Sequence, residues 1–278
     1  MNAKRYETIA RTPYFEYCYS AAPEKADGPK GTGEKTLIVS FPGRKNNRPA
    51  DISPDQSPTF LWKDLNSSDA DVLFIRSVYE GDHNYANIHD DYDLLPGLLY
   101  NLRKQKGIDR LVLFGFSLGC GPCLWLARKN IADEVVLLSP GLYSVVTLNA
   151  VEDSRWQQDF DKFCATWSLP EIEPYPQDVP VKIIQGLNLE DDLLKERPLV
   201  YYLKLLMPQA TVERVPGVGH HIPNFWKDQG ILQTKIHDVL DIKTTNRVRD
   251  HKANWTRLAG ASTRGAHPIV EQSLAAYG

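Results

Sequence analysis

Six short apolar runs constrain the folding of this chain more than any other feature. Leu37-Ile38-Val39 lies inside residues 36–41, further runs occupy residues 72–75, 111–114, 135–138 and 181–184, and a less apolar sixth spans 210–215. Runs of this length without polar alternation describe strands buried on both faces, as in a parallel sheet covered by helices. Residues 94–104, 118–129, 193–206 and 225–239 have helical composition and separate or follow most of these runs. Strands alternating with helices predict right-handed βαβ crossovers and a mostly parallel sheet. Ahead of them, residues 5–10 and 14–20 flank Arg11-Thr12-Pro13 and are expected to pair as a hairpin, for eight strands in all.

With 278 residues, 42% hydrophobic and 24% charged, the chain can bury one large α/β core. One domain is expected over residues 1–241, interrupted at about 141–180 by a stretch without a clear strand. That stretch carries Trp156, Phe160, Phe163 and Trp167 at helical spacing, which suits a helix packed on the core or a substrate-facing cap. Residues 242–278 are polar and lack periodicity. They are expected to form an arm that wraps the body or joins a second subunit into a homo-oligomer.

A net charge of −3 without a basic cluster speaks against nucleic acid as a partner. No run of 18 or more apolar residues spans a membrane, and the first residues lack the apolar core of a signal peptide, so a soluble cytoplasmic protein is expected. Four cysteines are too few for a disulfide framework in a chain of this size.

The chemistry centres on Gly115-Phe116-Ser117-Leu118-Gly119, between the apolar run 111–114 and the helical stretch after it. A strand that turns this tightly into a helix leaves the central hydroxyl exposed at the sheet edge, with glycines where the backbone must bend. A serine at neutral pH needs a base, and the base needs an orienting acid. In this architecture both follow the serine, acid first, in loops after later strands. After residues 181–185 comes Gly186-Leu187-Asn188-Leu189-Glu190-Asp191-Asp192, from which one of three consecutive carboxylates can reach the site while the others stay solvated. After residues 210–215 comes Pro216-Gly217-Val218-Gly219-His220-His221, whose glycines let His220 turn back as the base.

These motifs together resemble the α/β-hydrolase superfamily over roughly residues 5–241. The resemblance implies the α/β-hydrolase fold, a mostly parallel eight-stranded sheet flanked by helices with a short cap insertion. It also implies Ser117 as nucleophile, His220 as base and Asp191 as the matching acid, although the position three residues beyond the glycine is Leu189 here. An oxyanion intermediate would be held by the N–H of Leu118 and, from Ser40-Phe41-Pro42-Gly43-Arg44, by that of Arg44. Pro42 stands where the family usually has histidine. The implied activity is hydrolysis of a small-molecule ester or thioester, or acyl transfer by the same groups.

Two other classes compete. Cys120-Gly121-Pro122-Cys123 matches the thioredoxin active-site tetrapeptide, which would mean disulfide exchange by a thiolate at a helix N-terminus. That motif leaves the acidic and histidine loops unexplained, and Cys120 and Gly121 also suit close packing behind a nucleophile. A non-catalytic binding protein on the same fold is the second rival, with the ordered Ser, acid and His against it. No second CxxC or spaced histidine pair accompanies the first, so neither zinc nor a cofactor is expected. His83 and His89, with Asp82, Asp90 and Asp91, are read as a solvated, helix-capping loop.

Overall fold

The six apolar runs become six parallel strands of one sheet. In the computed structural model the described residues are 15–22, 34–43, 61–77, 94–140, 178–188, 204, 207–245 and 256–258. Their strands are β1 (Phe15–Ser20), β2 (Thr36–Phe41), β3 (Asp71–Ser77), β4 (Arg110–Phe116), β5 (Glu134–Leu138), β6 (Val181–Gly186), β7 (Thr211–Val215) and β8 (Thr256–Leu258). The sheet runs β7-β6-β5-β4-β2-β3-β1-β8. All contacts from β7 to β3 are parallel, and β1 is antiparallel to both β3 and β8. No helix among the described residues is long and apolar enough to cross a membrane.

The uninterrupted apolar runs are explained by burial on two faces. Every residue of β5 is buried, as is every residue of β4 except its two ends. On one face Leu111, Leu113, Val135 and Leu137 pack under helices α2 (Leu94–Lys106) and α3 (Cys120–Arg128). On the other, Val112, Phe114, Val136 and Leu138 meet α1 (Trp62–Asn66), α4 (Ile222–Asp228) and α5 (Leu232–Leu240). β7 is a sheet edge and mostly exposed, which is why its run is the least apolar.

The structure departs from or adds to the sequence reading at three places. The single helix expected over 225–239 is two, because Gly230 takes φ +70° and its neighbour Ile231 N–H returns to the Trp226 carbonyl at 2.9 Å. The break lets Ile222 and Trp226 of one helix, and Ile236 and Leu240 of the next, all reach the core. The five-residue α1, unmarked in the sequence, is held by tertiary contact, with the Trp62 and Phe74 ring centroids 4.4 Å apart. A strand unmarked in the sequence also lies at the far edge of the sheet. Residues 5–10 lie outside the described residues, and β8, from the segment expected as an arm, pairs with β1 in an eight-stranded sheet.

The chain is tied down where it leaves α5. His237 is buried; its Nε2 lies 2.7 Å from the Asp64 carbonyl and its Nδ1 2.8 Å from the Thr244 hydroxyl, while Lys243 N–H donates to Asp69. At the N-terminal ends of β4, β5 and β6, Glu134 receives Arg110 at 2.5 Å and Lys182 at 2.8 Å. The same two cations donate to the carbonyls of Leu240 and Val239 in the last turn of α5, where positive charge opposes the helix dipole. The expected cap over 141–180 and the helix over 193–206 fall almost entirely outside the described residues.

Candidate active site

At the opposite, C-terminal edge of the sheet, β4 ends in a bend that places Ser117 at φ +54°. A left-handed conformation costs a non-glycine residue about 1–2 kcal/mol, so the surroundings must enforce it. They do so by close approach. A Cβ on Gly115 would stand 2.6 Å from the Gly119 carbonyl oxygen and 2.7 Å from Cys120 Cα, and one on Gly119 would overlap the Phe41 carbonyl. The 3-10 turn Ser117–Gly119 thus leads straight into α3, wedged against the ends of β4 and β2.

His220 arrives from the far side of the sheet edge. Gly217 takes φ +77°, Val218 is buried, and the loop folds over the end of β6. There Leu187 N–H donates to the Val215 carbonyl and Asn188 N–H to that of Val218, each at 2.9 Å. Gly186 permits this contact, because a Cβ there would overlap the carbonyl oxygens of both Val218 and Gly219. The result is His220 Nε2 at 2.9 Å from Ser117 Oγ. Phe116 lies beside the imidazole with centroids 5.8 Å apart, and His221 meets it edge-on at 5.4 Å. If Nε2 accepts the serine proton, Nδ1 carries the ring hydrogen and requires an acceptor.

Glu190, Asp191 and Asp192 lie outside the described residues, as does Arg44. What leads to each is described. Asn188, bonded to the histidine loop, stands two residues before the acidic run. Gly43, at the end of β2, is so close that an added Cβ would be 3.0 Å from Ser117 Cβ and 2.9 Å from Phe116 Cδ1. The Leu118 amide belongs to the 3-10 turn directly after Ser117. His83, His89 and their acidic neighbours lie outside the described residues too.

The CGPC segment is the first turn of α3, and both thiols are fully buried. Cys120 donates to the Gly115 carbonyl at 3.3 Å and lies 3.7 Å from that of Leu138, while Cys123 donates to Gly119 at 3.4 Å. Burial pushes the Cys123 thiol well above its ordinary range, a backbone hydrogen bond opposing it only in part. Exchange needs an accessible thiolate, the reverse of this setting. Sequence reading passed over Phe116 and His221 as neighbours of His220; their adjacency to Ser117 and His220 in the motifs was the available signal.

No protein-family model matches this sequence, and no curated protein matches it. Solved structures do. A candidate carboxylesterase of Lactobacillus plantarum aligns with a TM-score of 0.53 and 13% identity over 82% of this chain and 92% of that one. EstE1, a thermophilic and thermostable carboxylesterase cloned from a metagenomic library, aligns at 0.50 and 13% identity over 77% and 81%. A lipase/esterase of Lactobacillus plantarum aligns at 0.50 and 13% over 78% and 94%. At such identity the likeness concerns architecture, and the chain has the α/β-hydrolase fold.

Proposed function

We propose that this protein is a serine hydrolase that cleaves a carboxylic ester or thioester through an acyl-enzyme on Ser117. The observation that carries the reading is the 2.9 Å contact between Ser117 Oγ and His220 Nε2 at a strained strand-to-helix bend. His220 takes the hydroxyl proton as Ser117 attacks the carbonyl, and gives it to the leaving alcohol or thiol as the tetrahedral intermediate collapses. Water then attacks the acyl carbonyl while His220 takes its proton, and His220 returns that proton to Ser117 Oγ as the acyl bond breaks and the acid departs. Asp191, from the loop after β6, orients His220 through Nδ1. The N–H groups of Leu118 and Arg44 bind the oxyanion.

The esterase character of the structural relatives agrees with an ester as substrate. The test is intact-mass spectrometry after mixing with 4-nitrophenyl butyrate and with butyryl thioesters. An added acyl mass on Ser117 is expected, together with its absence in Ser117→Ala. Turnover that persists in Ser117→Ala would overturn the assignment.

A further inference from the structure

Two buried polar side chains near the elbow have side-chain atoms without a hydrogen-bond partner among the described residues. Ser139 directly follows β5 and Gln185 is the penultimate residue of β6; both have 0% exposure. Ser139 Oγ and both amide atoms of Gln185 lack a hydrogen-bond partner among the described residues. They are neighbours: Leu138 pairs with Ile184, and Ser139 N–H donates to the Ile184 carbonyl at 2.8 Å. Ser139 also adjoins the nucleophile, since Phe116 pairs with Leu138 and each of these residues is followed by a serine in the left-handed region, at φ +54° and +44°, while Gln185 stands one strand farther along the sheet. A strained serine and three orphaned polar atoms are costly in a folded chain unless a partner arrives.

Resting on the hydrolase reading above, we infer that Ser139 and Gln185 form an acyl-recognition subsite for a neutral substrate group that both donates and accepts hydrogen bonds, such as an acyl hydroxyl. The inventory of orphaned atoms selects that class. Gln185 Nε2 only donates, its Oε1 only accepts, and Ser139 Oγ does either. An alkyl chain would leave all three unmet, and a carboxylate would leave Oε1 facing an anion. The cations of β4 and β6, Arg110 and Lys182, are at the far ends of their strands with Glu134, and Arg214, in register with Gln185 on β7, is exposed. Neighbouring strands are about 4.8 Å apart, so a hydroxyl three bonds from the reacting carbon spans the gap from Ser117 to Ser139, with Gln185 on the next strand beyond it. The carboxyl ends of parallel strands are where open α/β sheets bind ligands.

The test compares kcat/KM for 4-nitrophenyl 3-hydroxybutyrate, butyrate and hydrogen succinate. The hydroxy ester is expected to exceed butyrate by about tenfold to a hundredfold, the range a buried hydrogen-bonding site readily supplies. Gln185→Met, which removes the amide at similar size, and Ser139→Gly, which tolerates the left-handed φ, should each bring that ratio to near one. A wild-type ratio near one, a preference for the succinate, or ratios unchanged in both variants would overturn the subsite. Calorimetric binding of the same esters to Ser117→Ala separates the two readings. Tighter binding of the hydroxy ester there, with no turnover by wild type, upholds the subsite and sinks the hydrolase, whereas equal binding sinks the subsite alone.

Discussion

The two ends of the central strands are built on opposite terms. At their N-terminal ends, Glu134 meets Arg110 and Lys182, and these cations also cap α5. At their C-terminal ends, the same strands finish in two serines at positive φ and a glutamine whose buried amide has no hydrogen-bond partner among the described residues. Stability is concentrated where no chemistry is expected, and strain where groups must stay available. The contrast teaches that one sheet can pair its charges at one end while placing strained serines at the other.

Substitutions can break that contrast. The largest effect is expected for Ser117→Ala, which should lower kcat for 4-nitrophenyl esters by about 10⁶-fold with the melting temperature preserved. Calorimetry and steady-state kinetics on one preparation check both halves. Gly186→Ala forces a methyl group into the carbonyls of Val218 and Gly219 and displaces His220, so kcat should fall about 10²-fold while Ser117 stays in place. Unchanged turnover would mean that the loop gives way without moving the imidazole.

The other end should respond in stability alone. Glu134→Gln leaves Arg110 facing a neutral amide; with Lys182 41% exposed and partly solvated, a loss of about 2 kcal/mol is expected in denaturant unfolding. Turnover below the melting range should stay within about twofold, and a selective loss of kcat would erase the division between the ends. The smallest effect concerns the CGPC turn. Cys120→Ser should keep most activity, since a hydroxyl can still donate to Gly115.

Cys123 adds a pH signature with a definite sign. Its thiol holds the proton above the ordinary thiol range in the folded chain and releases it within that range when unfolded. The folded state therefore binds more protons there, and stability falls as pH rises through that range. Melting temperatures from pH 7 to 10 should decline more steeply for wild type than for Cys123→Ala.

Much of this was legible beforehand for one physical reason. Strands β2 to β7 stood out because burial on two faces removes polar alternation, and Ser117 and His220 because tight turns require glycines at nearby positions. The residues by themselves did not separate Asp191 from Glu190 and Asp192, since three adjacent carboxylates are locally equivalent; only the family resemblance favoured Asp191. Ser139 and Gln185 carry no pattern; a serine after a strand or a glutamine within one is ordinary until its surroundings are known.

By itself, then, the amino-acid order determined the parallel α/β core and the turns that present a serine and a histidine, because periodicity and backbone sterics act locally. Only the tertiary structure decided the strand order, the break at Gly230, the joining of β8 to β1 and the 2.9 Å meeting of residues 117 and 220. Those depend on which surfaces remain to be covered once the local elements exist, a property of the packed whole that no single segment encodes.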